Sequence, residues 1–275
     1  MLEREKYDSA FRFRGACERQ QGFFQLFGAV RRRMLRRRVR LQELARPKMK
    51  APSAVFSKET VLFLRELGRN NHKAWMDENR ERYRATLVEP FRALLDRLSP
   101  VALKLNRRFS VSGRTGENFS RINRDIRFSM DKAPYRTQMY LFFAEPGGEG
   151  GQLYAGISAE TITCGFRVYG RGRGAPLTQI GRARAKENTK WLEQQKRRLA
   201  RRYESYWYSS EKGEWTKHVG WPVKPEEWKK LHGWVVRRKL RHAAAMRPGF
   251  EREAAKIFRE VYPLLPFTSS PDWNP

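Results

Sequence analysis

Apolar residues in this chain recur at helical spacing up to about residue 107 and at strand spacing from residue 122, and that change of period restricts the fold more than any other feature. Ser57 is placed as an N-cap, Val61, Leu64 and Leu67 follow at helical intervals, and Gly68 closes the helix. Asn71 reads as the opening of a second helix, in which Trp75, Asn79 and Tyr83 share a face. Pro90 stands at a first-turn position ahead of Phe91, Leu94, Leu95 and Leu98. Ser99-Pro100 then reads as an N-cap and first helical residue, restarting the helix to about Arg107.

Beyond that point Ile122, Ile126 and Phe128 alternate with Arg121, Asn123, Asp125 and Arg127, which predicts a strand with one apolar and one polar face. Arg124 is the exception on the apolar side. Met139, Leu141 and Phe143 mark a second strand, residues 153–158 a third and 161–169 a fourth, with Ala159-Glu160 between the last two at hairpin spacing. Short connections imply antiparallel pairing. A long polar helix over 177–206, a short helix opened by Pro225 and a last one over 250–261 complete the pattern. The expected fold is α+β: N-terminal helices, an antiparallel sheet of about four strands, and C-terminal helices.

Of the 275 residues, 40% are apolar and 13% aromatic, enough to fill a core. The 58 Lys+Arg against 29 Asp+Glu give a formal charge of +29. That balance favours polyanionic partners such as nucleic acid or anionic membrane, or phosphorylated ligands, while saying nothing about chemistry. Part of the charge lies in RRRMLRRRVR, residues 31–40, within a 1–48 stretch that reads as a basic, disordered or spurious extension. Its charge follows its apolar patches, the reverse of a signal peptide. The domain is expected over 54–265, with 266–275 as a tail. Cys17 and Cys164 lie far apart and outside CxxC spacing, so neither a disulfide framework nor a zinc ribbon is expected. No apolar run nears the roughly 18 residues that span a bilayer, and a soluble, cytoplasmic protein is expected.

The segment RINRDIRFSMDKAPYRT, residues 121–137, concentrates the chemistry. On a strand Asp125 shares the polar face with Arg121, Asn123 and Arg127, the last two at i±2 positions. The following loop adds Asp131, Lys132, Tyr135 and Arg136, and Pro134 pushes Ala133 toward extended geometry. Three readings stand together: a structural Arg/Asp network, an anion or nucleic-acid site, and an enzyme using Asp125 or Asp131 as base or metal ligand. Asn71 and Trp75 join the candidate site if the start of the second helix lines the same cleft; their plainer roles are capping and core packing. The full candidate set is Asn71, Trp75, Arg121, Arg124, Asp125, Arg127, Asp131, Lys132, Tyr135 and Arg136.

Other signals carry less. GRGRGA, residues 170–175, matches a dinucleotide fingerprint but follows a hairpin strand rather than a βαβ unit. His72, His218, His232 and His242 lack zinc spacing, and no nucleophile elbow or phosphate-binding loop occurs. No cofactor and no metal is expected. Trp215, Trp221, Trp228 and Trp234 alternate with lysines and read as packing a connecting loop onto the domain.

FSKETVLFLRELGRNNHKAWMDENRERY followed by INRDIRFSMDKAPYRTQMYLFF resembles the family known as domain of unknown function 2461, over residues 54–265. The resemblance brings no assigned reaction. It implies that Asn70, Asn71 and Trp75 matter in the first segment, and Arg124, Asp125, Arg127, Phe128, Asp131, Lys132, Pro134 and Tyr135 in the second.

Overall fold

The computed structural model describes residues 53–146, 150–170, 179–211, 214–270 and 273–274. The 1–48 extension with Cys17, and residues 171–175 of the glycine-arginine loop, lie outside that set.

Helix α1 (Lys58–Arg69) starts at Ser57 as expected and buries Val61, Phe63, Leu64 and Leu67. Asn70 ends it, donating its backbone N–H and its side-chain amide to Glu66 O. Helices α2 (Lys73–Glu78) and α3 (Arg80–Tyr83) lead through a π-helical turn (Arg84–Val88) into α4 (Glu89–Leu105). Pro90 has no N–H to offer Thr86 O four residues back. The buried Thr60 hydroxyl donates to that carbonyl instead, at 2.9 Å, and so ties α1 to the turn.

Two local expectations are corrected. Helix α4 does not restart at Ser99 but passes through Pro100, and Ser99 Oγ donates back to Leu95 O at 2.7 Å. Pro100 and Asp96, whose carbonyl loses its partner, are both exposed, so solvent can satisfy that carbonyl. Nor does Asn71 cap α2. His72 does, its Nδ1 accepting from Trp75 N–H at 3.3 Å.

The sheet has six strands, not about four: β1 (Gln138–Phe143), β2 (Gln152–Ser158), β3 (Ile162–Tyr169), β4 (Glu204–Glu211), β5 (Glu214–Val219) and β6 (Leu231–Leu240). Their order is β1-β2-β3-β6-β4-β5 and every neighbouring pair is antiparallel. The expected 177–206 helix is two helices, α5 (Gln179–Glu187) and α6 (Thr189–Leu199), and Glu204 already belongs to β4. Asn188 separates them, its backbone N–H and side-chain amide both bonded to Arg184 O. The short helix α7 (Pro225–Lys230) precedes β6, and α8 (His242–Ala245), α9 (Phe250–Val261) and α10 (Leu264–Ser269) follow it.

Period-two alternation gives the sheet two distinct faces. Met139, Leu141 and Phe143, with Ile157, Cys164, Phe166, Trp234 and Val236, lie on the face that packs against α4, α9 and α10. Phe143 meets Phe258 of α9 edge-on at 5.9 Å, and Trp234 meets both Phe166 and Trp228 at 5.6 Å. Residues 118–120 cover the outer edge of β1: Asn118 O accepts from Phe142 N, and Ser120 N donates to Tyr140 O. The buried Asn118 side chain fixes this cover by donating to Ser110 O and Phe142 O and accepting from Gly113 N. An edge that is covered in this way cannot template another chain.

Candidate functional site

Residues 121–128 do not form the expected strand. The segment 122–136 is a hairpin-like loop whose two arms meet through Arg124 N to Pro134 O at 2.8 Å and Arg136 N to Ile122 O at 2.7 Å, with one bridge between Asn123 and Tyr135. Too few backbone pairs form for a strand, and the ion pairs that the alternation suggested act within the loop instead. Arg124 pairs with Asp131 and also donates to Ala133 O at 3.1 Å and Ser129 Oγ at 3.3 Å. Arg127 grips Asp125 with two prongs, Nε to Oδ1 at 3.0 Å and Nη2 to Oδ2 at 2.8 Å. Lys132 Nζ reaches Ile126 O at 3.3 Å.

These contacts account for the electrostatics of the loop. The Ala133 N–H, and then Arg124, hold the Asp131 carboxyl below its ordinary range; Arg127 does the same for Asp125 through its guanidinium and then its backbone N–H. The two carboxylates thus answer to different arginines. Among the described residues no group of three or more His, Cys, Asp or Glu could hold a metal ion.

Asn71 does join the loop: its amide bonds both backbone groups of Tyr135, whose ring is buried. Trp75 instead packs on Phe63 with ring centroids 5.5 Å apart. Arg121 lines a cavity of about 370 Å³ with Tyr83, Arg92, Phe119, Asn123 and Met139. Arg136 is exposed at the foot of the hairpin and falls on the alternation of Gln138, Tyr140 and Phe142.

That alternation leads to a cluster outside the predicted set, on the sheet face opposite the helices. Tyr140 and Phe142 of β1, Tyr154 of β2, Arg167 and Tyr169 of β3, Val235 and Arg237 of β6, and Tyr206 and Tyr208 of β4 all share it by register. Arg167 lies at its centre. Its guanidinium carbon stands 4.1 Å from the Phe142 ring centroid, 5.4 Å from Tyr154, 5.5 Å from Tyr140 and 5.9 Å from Tyr169. Its Nε donates to Gln152 Oε1 at 3.0 Å, and among the described residues it has no carboxylate partner. Burial among the rings pulls its pKa down, and burial raises the phenols of Tyr140, Tyr154 and Tyr169.

Two glycines make room for this layer. A Cβ on Gly156 would overlap the Tyr140 ring and one on Gly233 the Tyr169 ring, so both rings lie flat across a neighbouring strand. Toward β5 the face becomes accessible. Tyr169 is 40% and Trp215 41% exposed, with ring centroids 6.5 Å apart, whereas Tyr154 and Val235 are buried. Arg237 stacks on Tyr206 at 5.0 Å, Lys217 stands 4.3 Å over the same ring, and Glu204 pairs with both Arg237 and Lys239. Of the four tryptophans read as packing a loop, Trp228 and Trp234 are buried and Trp221 packs on Trp234, but Trp215 belongs to this open face.

One nucleophile–base contact also escaped the sequence. Ser209 Oγ lies 2.8 Å from His218 Nε2, and the imidazole stacks on Trp207 at 3.9 Å. Ser209 is buried, and among the described residues no carboxylate bonds the other ring nitrogen; the contact links β4 to β5.

Residues 59–267 match the sequence profile of a family described as a conserved hypothetical protein, DUF2461. The chain belongs to that family. No curated protein and no solved structure matches it. Among the described residues no helix is long and apolar enough to cross a membrane.

Proposed function

We propose that this protein binds single-stranded nucleic acid across the second face of its sheet. The observation carrying this reading is Arg167, a partly buried guanidinium set among four aromatic rings with no carboxylate partner among the described residues. Removing a charge from water without an opposite charge is costly. A phosphate presented to the two Nη groups would supply that charge in the bidentate geometry a guanidinium prefers.

The surroundings suit the rest of a nucleotide. Tyr169 and Trp215 are exposed enough to offer ring faces to bases, and base–aromatic stacking contributes about 1–3 kcal/mol per base whatever the sequence. Arg136, Lys217, Arg237 and Lys239 add positive charge across the same face, against Glu204. Six strands at about 4.8 Å spacing spread these groups over roughly 24 Å, a length that suits several nucleotides better than one phosphate. The earlier candidate segment enters through Arg136, because Arg124 and Arg127 are held by the loop's own carboxylates.

Fluorescence anisotropy with a labelled oligothymidylate tests the reading. Binding should weaken steeply with salt, and inorganic polyphosphate, which has charge but no bases, should compete poorly. Competition by polyphosphate at equal phosphate concentration would reduce the interaction to charge alone.

A further inference from the structure

The tip of the 122–136 hairpin presents Phe128 at 88% and Met130 at 99% exposure, two large apolar side chains standing almost wholly in solvent. The two side chains make one exposed apolar spot at the tip of a loop held by its own contacts. Three sets of contacts fix the shape: the backbone pairs at the foot, the Arg124–Asp131 and Arg127–Asp125 ion pairs within, and the double grip of Asn71 on Tyr135 behind. The apolar pair is flanked by Arg127, itself held by Asp125, and by Lys132, which has no carboxylate partner among the described residues. Arg127 stands 5.9 Å from the Phe128 ring centroid, and Lys132 folds back to Ile126 O on the same loop.

A projection with an apolar tip and a neighbouring lysine matches the side chains that wedge between base steps in nucleic acids, where Phe and Met unstack neighbouring bases. The hairpin is also continuous with the face proposed above. Its second arm runs through Arg136 directly into β1, whose Tyr140 and Phe142 surround Arg167.

We propose that this hairpin is a preformed wedge that inserts Phe128 or Met130 between adjacent bases of the nucleic acid held on the sheet face. The inference rests on the nucleic-acid reading of that face. A lipid surface is the other occupant that an apolar tip beside a lysine would suit. Continuity with the Arg167 cluster favours the nucleic acid.

The test uses the full chain and single-stranded oligonucleotides carrying 2-aminopurine, whose emission rises when it is unstacked. Saturating protein should raise that emission several-fold. The Phe128→Ala/Met130→Ala variant should still bind, with an affinity within about tenfold of the parent protein, but lose most of the rise. The variant changes exposed side chains only, and an unchanged melting temperature will confirm its fold. If the parent protein binds no oligonucleotide, the sheet-face reading fails and the wedge with it. If it binds without a change in emission, or the variant keeps the full rise, the wedge alone is overturned. Tip-dependent binding to phosphatidylserine vesicles, with oligonucleotide emission unaffected by the substitutions, would overturn it in favour of a membrane role.

Discussion

The side-chain amide of Asn71 bonds both backbone groups of Tyr135, accepting from its N–H at 2.9 Å and donating to its carbonyl at 2.9 Å, across 64 residues of sequence. Asn71 therefore acts as one rung of a β-ladder for a chain segment that has almost no strand partner of its own. Replacement by Ala leaves both groups in a partly buried place without a partner, at a cost of about 1–3 kcal/mol. Thermal unfolding of Asn71→Ala should shift down by about 2–4 °C for each kcal/mol lost. Asn71→Asp keeps the acceptor but sets a carboxylate oxygen against the Tyr135 carbonyl, so it too should melt below the parent protein. Equal melting temperatures for all three would mean that the grip contributes nothing.

How far the sequence discloses this molecule depends on where the informative contacts lie. Helices α1 and α4 and strands β1 to β3 are legible because each has its own apolar period, and the two-residue turn at Ala159-Glu160 appears where expected. Strands β4 to β6 are not legible. Glu204–Glu211 follows the basic helix α6 after a very short turn, so the charged run hides the boundary. Leu231–Leu240 sits mid-sheet between β3 and β4, buried on both faces over its first half, and shows no alternation there. The 122–128 alternation is real in the sequence but is spent on loop ion pairs. The Arg167 cluster leaves only a faint trace, aromatic residues on the outward phase of strands. Seeing it as one site needs the strand order, because β6 returns from residue 231 to lie beside β3.

Glycine at positions 156 and 233 is a steric requirement of the aromatic layer. Gly156→Ala places a methyl group where the Tyr140 ring lies, and Gly233→Ala does the same beneath Tyr169. Each should cost about 1–3 kcal/mol through overpacking. Each should also weaken oligonucleotide binding, since the ring it lifts borders Arg167. Denaturant melts and anisotropy titrations on the same samples check both effects. Unchanged affinity in both variants would separate the rings from the binding surface.

The Asp131 carboxyl is held below its ordinary range in the fold, first by the Ala133 N–H and then by Arg124. Its contribution to loop order is complete above the unfolded aspartate value of about 3.9 and is lost as pH falls through the lower folded value. The Ala133 amide proton, bonded to Asp131 Oδ1 at 2.9 Å, reports this directly by NMR. Its shift should titrate with a midpoint below 3.9, and a midpoint at or above that value would mean the contact is absent in solution.

Cys164 lies fully buried on the helix-facing side of β3, and burial, with the nearby Glu253 adding to it, raises the thiol's pKa. A thiol so placed is inert. In a Cys17→Ser variant, maleimide should label no cysteine in the native protein and one after unfolding in guanidinium. Rapid native labelling would contradict the packing of β3 against the helices.

On the proposed reading, nucleic acid lies on the Arg167 face and not on the helical side of the domain. Photocrosslinking of a 5-iodouracil oligonucleotide, followed by mass spectrometry of the linked peptides, tests it most directly. Crosslinks should fall on Tyr169, Tyr206, Tyr208 or Trp215, and Arg167→Ala should reduce their yield at least tenfold while the protein remains folded. Crosslinks confined to helical peptides, or a yield indifferent to Arg167, would contradict the claim.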